Sequence, residues 1–326
     1  MALMSTRRRA LSALVPAAAA ALVLSACSSG GGDGSGGSGG DDGVQVLASF
    51  YPLQYVAEQV GGELVSVDSL TPPGAEPHDL ELSPAQVDQV GRADLVVYLS
   101  QFQAAVDEAV EANPPGHVVD AAQDTELHAA EHDEDGEEHA DDEHGDEHGE
   151  EHDHGSLDPH FWLDPSRLPA VADDVAAQLG ELDPDHADEF EANARTFAQA
   201  MTDLDDEYAA GLATCESRTI VTTHEAFSYL ADRYDLEQVG ISGVDPEGEP
   251  SPARLAEVGD VVRAEGVTTI FFETLASPKV AETLADELGV ETAVLDPLEG
   301  LTDDTQDYVS VAKTNLETLR TALSCA

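Results

Sequence analysis

Residues Asp185–Leu212 read DHADEFEANARTFAQAMTDLDDEYAAGL, a helical stretch separated from the helical Ser166–Leu182 only by the break at Asp183-Pro184. At 1.5 Å per residue it is roughly 40 Å long, enough to touch two lobes at once. Strands and helices alternate on either side of it. Ahead lie strands at Val44–Phe50, Leu64–Leu70 and Asp94–Leu99, with a short one beginning at His117–Val119. Helices fall at Pro52–Val60, closed by Gly61-Gly62, then from Ser83-Pro84, and over Phe102–Glu111. Ser83 is placed to cap its helix, with Pro84 in the first turn. Behind it come strands at Arg218–Thr223, Leu236–Ile241, Thr268–Phe272 and Glu291–Leu295. Helices at Glu225–Tyr234, Pro252–Glu265, Lys279–Leu288 and Thr305–Leu323 separate or follow them. Such alternation builds parallel sheets covered by helices. The expected fold class is α/β, two lobes with parallel-type sheets joined by one long bridging helix.

The ends of the chain set its compartment. Arg7-Arg8-Arg9 followed by the apolar Ala10–Leu24 forms a signal peptide, too short to span a bilayer comfortably. Leu24-Ser25-Ala26-Cys27 resembles a lipobox, which makes Cys27 the lipidated first residue of the mature protein. Thr6-Arg7-Arg8 leaves twin-arginine export open beside the general route. Residues 27–43 are a Gly/Ser tether. The expected organisation is then an N-terminal lobe over 44–165, linking helices over 166–213, and a C-terminal lobe over 214–326. Cys215 and Cys325 remain as an even pair in an exported chain, which reads as a disulfide. The formal charge of −54 counts the three leader arginines, so the mature chain is more acidic still. Phosphate contacts need clustered Lys and Arg, so no nucleic-acid partner is expected, and cations are favoured.

Three histidines sit in distinct motifs: His78 in Glu-Pro-His-Asp-Leu, His160 in Asp-Pro-His-Phe-Trp-Leu-Asp-Pro, and His224 in Thr-Thr-His-Glu-Ala-Phe. Between the first two, Leu127–His154 is almost wholly His, Asp, Glu and Gly. It lacks the apolar residues that would offset ordering entropy, so 124–156 is expected as a disordered loop. Its His128, His132, His139, His144, His148, His152 and His154 are candidate weak, auxiliary metal ligands. Ligands in α/β sheets sit beyond the carboxyl ends of strands. His224 and Asp296 each lie one residue past a strand, and His78 lies in the loop after Leu64–Leu70. With His160 they make an expected interdomain metal site of His78, His160, His224 and Asp296, backed by Glu273 in an outer position. Three imidazoles plus a carboxylate or water suit four-coordinate Zn²⁺, whereas manganese prefers more oxygen donors.

These motifs carry a resemblance. The chain is similar to the metal-binding lipoproteins of zinc and manganese ABC transporters (cluster A-I solute-binding proteins), in the zinc-uptake branch. Ala48–Leu53, Pro77–Glu81, Asp158–Pro165, Thr223–Phe227, Pro250-Ser251-Pro252 and Leu295–Leu298 match its motifs in order, from about Val46 to the C-terminus. The resemblance implies histidine ligands at His78 and His160, and a third at His224 where most manganese receptors have Glu. It leaves the fourth ligand as Asp296, a nearby Glu, or water. Some zinc receptors place Glu directly before the first His; here Pro77 stands there and Glu76 is one further back.

The expected function is extracytoplasmic capture of Zn²⁺ and delivery to a membrane permease with a separate ATPase, since no P-loop occurs. The protein is expected to be a monomer, lipid-anchored to the outer face of the membrane, and not an enzyme. The alternatives are a manganese or iron receptor of the same family, and a surface adhesin or metal buffer working through the His tract. A zinc hydrolase is the remaining rival, weakened by the lack of a His-Glu-x-x-His pair.

Overall fold

The computed structural model describes residues 43–129 and 157–326. In chain order the elements are β1 Val44–Ala48, α1 Tyr51–Gly61, β2 Val65–Ser69, α2 Pro84–Val90, β3 Leu95–Tyr98, α3 Ala104–Ala112 and β4 Val118–Asp120. Next are α4 Ala121–Asp124, β5 His128–Ala129, β6 Leu157–Asp158, α5 Leu168–Leu182 and α6 Ala187–Leu212. The chain then runs through β7 Thr219–Thr222, α7 Ser228–Tyr234, β8 Glu237–Gly240 and α8 Pro252–Glu265. It closes with β9 Thr269–Phe272, α9 Lys279–Leu288, β10 Glu291–Val294 and α10 Tyr308–Ala322.

Two four-stranded sheets, ordered β2-β1-β3-β4 and β10-β9-β7-β8, are parallel throughout. Their inner strands are apolar runs buried on both faces, as helix-covered parallel strands require. Leu95, Val96 and Val97 of β3 and every residue of β7 are buried. In both halves the order reverses beside the first strand, so β1 and β7 point their carboxyl ends toward a crevice.

Helix α6 ties the halves together. Its buried residues Phe190, Ala194, Phe197, Met201, Leu204, Tyr208 and Leu212 recur every three or four positions, one stripe over 26 residues. Near its start, Asn193 Nδ2 donates to the Val60 carbonyl (3.0 Å), holding α1. Near its end, the Tyr208 hydroxyl donates to the Ala312 carbonyl (2.6 Å), holding α10. Asp205 accepts from Arg233 (2.9 and 2.6 Å) and from the Tyr234 hydroxyl (3.0 Å), holding α7. One apolar cluster therefore runs from Val46 and Phe50 through this stripe to Tyr308 and Leu319, with a smaller cluster under each sheet. Among the described residues no helix is long and apolar enough to cross a membrane.

Three expectations need correction. Structure continues past residue 124, where a disordered loop was expected to begin. The Arg167 guanidinium donates to the Glu126 carbonyl (2.8 Å), the His128 amide donates to the Tyr229 hydroxyl (2.7 Å), and β5 pairs antiparallel with β6. Residues 130–156, with His132, His139, His144, His148, His152 and His154, lie outside the described residues, as does Cys27. Second, α7 starts at Ser228 rather than Glu225. The His224 carbonyl is taken by Thr222 Oγ1 (2.7 Å) and Gln238 Nε2 (3.1 Å), and the Glu225 amide bonds to Gly243, so no helical turn begins there. Third, α10 starts at Tyr308 because Asp307 and Ser310 form a reciprocal capping box.

A disulfide joins Cys215 and Cys325, 110 residues apart. Loop-closure entropy for that span gives about 3–5 kcal/mol of stabilisation. Cys215→Ser/Cys325→Ser should lose about that much in denaturant unfolding. A loss below about 1 kcal/mol would show that α10 is held by packing alone.

Candidate metal centre

His78, His160, His224 and Glu299 form the site, one ligand atom from each lying within 4.8 Å of all the others. His78 and His160 come from the first half of the chain, His224 and Glu299 from the second. Each Nε2 faces a single oxygen, Glu299 Oε1, at 3.4 Å from His78, 3.0 Å from His160 and 3.6 Å from His224. Ring centroids are 5.2 to 6.0 Å apart, so the three imidazoles crowd one point without stacking on each other. His160, His224 and Glu299 are at most 1 % exposed. His224 Nε2 and Glu299 Oε2 have no hydrogen-bond partner among the described residues. Buried polar atoms without partners are costly, and a bound cation would satisfy them.

The outer ring nitrogens are fixed by carboxylates. His160 Nδ1 bonds to Asp158 Oδ1 (2.7 Å), which also accepts the His160 amide (3.0 Å). His224 Nδ1 bonds to Glu273 Oε1 (2.8 Å), the outer position expected for Glu273. A carboxylate on the far nitrogen sets the tautomer, turns the other nitrogen inward, and makes the ring a better donor to a metal. His78 is placed through its backbone: Glu76 accepts the amides of His78 (3.0 Å) and Asp79 (3.3 Å), closing a tight turn. Glu76 therefore shapes the His78 turn and stays outside the cluster.

Burial opposes charge on His224, yet its hydrogen bond to Glu273 and the nearby Glu299 carboxylate carry its pKa up to about 10. His160 is likewise raised against its burial, by Asp158 and then Glu299. Burial would raise Glu299, but the three histidines hold it well below the usual carboxylate range. The shifts of His160 and His224 therefore favour their charged forms beside the Glu299 carboxylate. A divalent cation entering the cluster must displace those protons, so loading releases acid.

Asp296 is not in the cluster, contrary to expectation. Its carboxylate accepts from Thr274 Oγ1 (2.8 Å) and the Leu298 amide (2.8 Å), while Asn315 holds its backbone on both sides. This Asx turn, with Leu298 at φ 61°, swings the chain so that Glu299 enters the site. His128 is also corrected as an auxiliary ligand. Its ring stacks on Tyr229 at 4.0 Å, its Nε2 lies 3.0 Å from Arg167, and its Nδ1 lies 3.5 Å from Asp232.

The sequence names neither Asp158 nor Glu299 as a site residue, although a nearby Glu is among the choices it leaves for the fourth ligand. Asp158 was legible as a short acid two residues before a histidine, where Asx turns form. Glu299 stands five residues past β10, and no local pattern marks it.

Trp162, the only tryptophan, is fully buried with its ring 5.2 Å from His160. Its emission should therefore change as Zn²⁺ is added, saturating at one equivalent. Glu299→Ala should weaken that titration about 100-fold or more, and Asp296→Ala by less than about tenfold. The reverse ranking would return Asp296 to the site.

The chain is similar to zinc-binding proteins of known name. The chain is 37% identical over 289 residues to the high-affinity zinc uptake system protein ZnuA of Bacillus subtilis, covering 86% of this chain and 88% of that one. It is 37% identical over 285 residues to the zinc-binding protein AdcA of Streptococcus pyogenes, covering 85% and 55%. The zinc-binding lipoprotein AdcA of Streptococcus pneumoniae is 35% identical over 287 residues, covering 86% and 56%. The chain thus spans about half the length of the AdcA proteins it matches. Among solved structures, a Zn(II)-bound mutant variant of Streptococcus pneumoniae AdcAII superposes with a TM-score of 0.74 at 30% identity, covering 86% of this chain and 99% of that one. The laminin-binding protein Lmb of Streptococcus agalactiae, described as a bifunctional adhesin and metal transporter, gives 0.74 at 33% with 86% and 99% covered. Residues 46–322 match the zinc-uptake complex component A, periplasmic, and the chain belongs to this ZnuA family.

Proposed function

We propose that the protein is the extracytoplasmic receptor of a zinc-uptake system. It captures Zn²⁺ between His78, His160, His224 and Glu299 and delivers it to the permease of an ABC transporter whose ATPase is a separate chain. The observation that carries this reading is the convergence of three Nε2 atoms on one buried carboxylate oxygen. A set of three nitrogens and one oxygen suits tetrahedral Zn²⁺ and disfavours manganese, which prefers more oxygen donors. With Glu299 as fourth donor the set is closed. A hydrolytic zinc site keeps a water in that place, so the geometry favours transport over catalysis.

Location follows from the leader. Residues 1–26 are removed as a signal peptide, and Cys27 carries a lipid that holds a monomeric receptor on the outer face of the membrane. The Leu24-Ser25-Ala26-Cys27 sequence supports this, together with a pneumococcal relative named as a lipoprotein. The histidines between residues 130 and 156 bind further zinc weakly and raise its local concentration, a role their density supports and the main site does not need.

Metal-competition calorimetry on the metal-free chain from Gly43 onward tests the reading. One tight Zn²⁺ site is expected, retained when residues 130–156 are deleted and weakened about 100-fold or more in His160→Ala. Tight Mn²⁺ with weak Zn²⁺ would move the protein to the manganese branch. Weak, multiple sites that vanish with the deletion would leave a metal-buffering surface protein.

A further inference from the structure

A cavity of about 1060 Å³ opens between the two halves of the chain beside the metal centre. One wall is α1 with the Thr71–Pro73 turn, from the first half; the other is Glu299–Asp307, from the second. Glu299 itself lines it, and the Glu299 oxygen that the histidines do not use, Oε2, is buried without a hydrogen-bond partner. Glu58, Asp303, Asp304 and Asp307 also line it, and no lysine or arginine does so among the described residues. Asp303 and Asp307 are tied up in a turn and a helix cap. Glu58 and Asp304 are exposed.

A second interdomain cavity of about 440 Å³ is also acidic, lined by Glu76, Glu247 and Glu249. It reaches only neighbours of the site, Glu76 and Thr223, and none of the four cluster residues lines it. A negative cleft with low-dielectric walls concentrates cations and speeds their arrival. Of the two cavities, only the larger has a cluster residue, Glu299, in its lining, so it offers the shorter way into the cluster.

We propose that the larger cavity is an entry vestibule for hydrated divalent cations, in which Glu58 and Asp304 attract the ion and Glu299 is the first cluster residue to take hold of it. The inference rests on the zinc-receptor reading. It adds a direction of approach: the ion arrives past α1, and the histidines replace its remaining waters afterwards.

The test is stopped-flow association of Zn²⁺ with the metal-free full-length protein, using a chromophoric zinc chelator as reporter, across a range of ionic strength. Glu58→Gln/Asp304→Asn should slow association about threefold or more at low salt, and the difference should close as salt screens the charges. Glu247→Gln/Glu249→Gln removes the same charge from the smaller cavity and should change the rate less than twofold. The vestibule is refuted if the first pair associates within twofold of the unaltered protein, or if the second pair slows it as much. All four side chains are exposed, so metal-free melting temperatures should stay level, and Asp304→Asn alone should move the rate in the same direction. An unaltered protein without a tight zinc site at equilibrium would instead overturn the receptor reading.

Discussion

One buried carboxylate oxygen, Glu299 Oε1, faces the Nε2 atoms of three histidines drawn from separate loops. The carboxylate raises the proton affinity of His160 and His224, and with a cation in place the inward nitrogens and the oxygen become its donors. Either way, four groups that would each be costly to bury alone share one compensating charge balance. That requirement sets the precision with which two separate sheets must be held together.

The binding between halves matches that need, and it is more entangled than a hinge with two lobes. His160 belongs by sequence to the first half, yet its loop is fastened to the second. The Trp162 indole donates to the Pro297 carbonyl (2.8 Å) in the loop that carries Glu299, and the Tyr308 hydroxyl donates to the Trp162 carbonyl (2.5 Å). Ser228 donates to the Asp158 carboxylate, and the Tyr229 hydroxyl to the Asp158 carbonyl (2.8 Å). His160, His224 and Glu299 are thereby linked to a common frame, with α6 and one continuous apolar cluster behind it. His78, on a turn held by Glu76 and by Gln103, is the most exposed of the four, its side chain 13% accessible. Opening the site by wide separation of the halves would expose that shared core, so small loop movements cost less.

Much of this was legible in the sequence, and what was missed has a physical pattern. Helices α8 and α9 fall on the expected residues, because Ser251-Pro252 starts one and Gly266 and Gly289 end them in left-handed conformations. Parallel sheets and the long α6 followed from local patterning. The three histidines were readable because each sits in a motif with its own turn chemistry. Glu299 was not, because its place depends on the Asp296–Leu298 turn, where a leucine at positive φ redirects the chain. The same turn explains why Asp296, which has the right chemistry at the right strand end, is spent on holding backbone. His128 misled for a related reason: it borders a tract rich in histidine and acid, but tertiary neighbours occupy its ring.

The most direct test of the account is zinc K-edge X-ray absorption on protein loaded with one equivalent of Zn²⁺. A four-coordinate shell of three imidazoles and one carboxylate oxygen at about 2.0–2.1 Å is expected. The imidazole count should fall to two in His78→Ala. A shell dominated by oxygen, or an imidazole count untouched by His78→Ala, would place the metal away from the three histidines and Glu299.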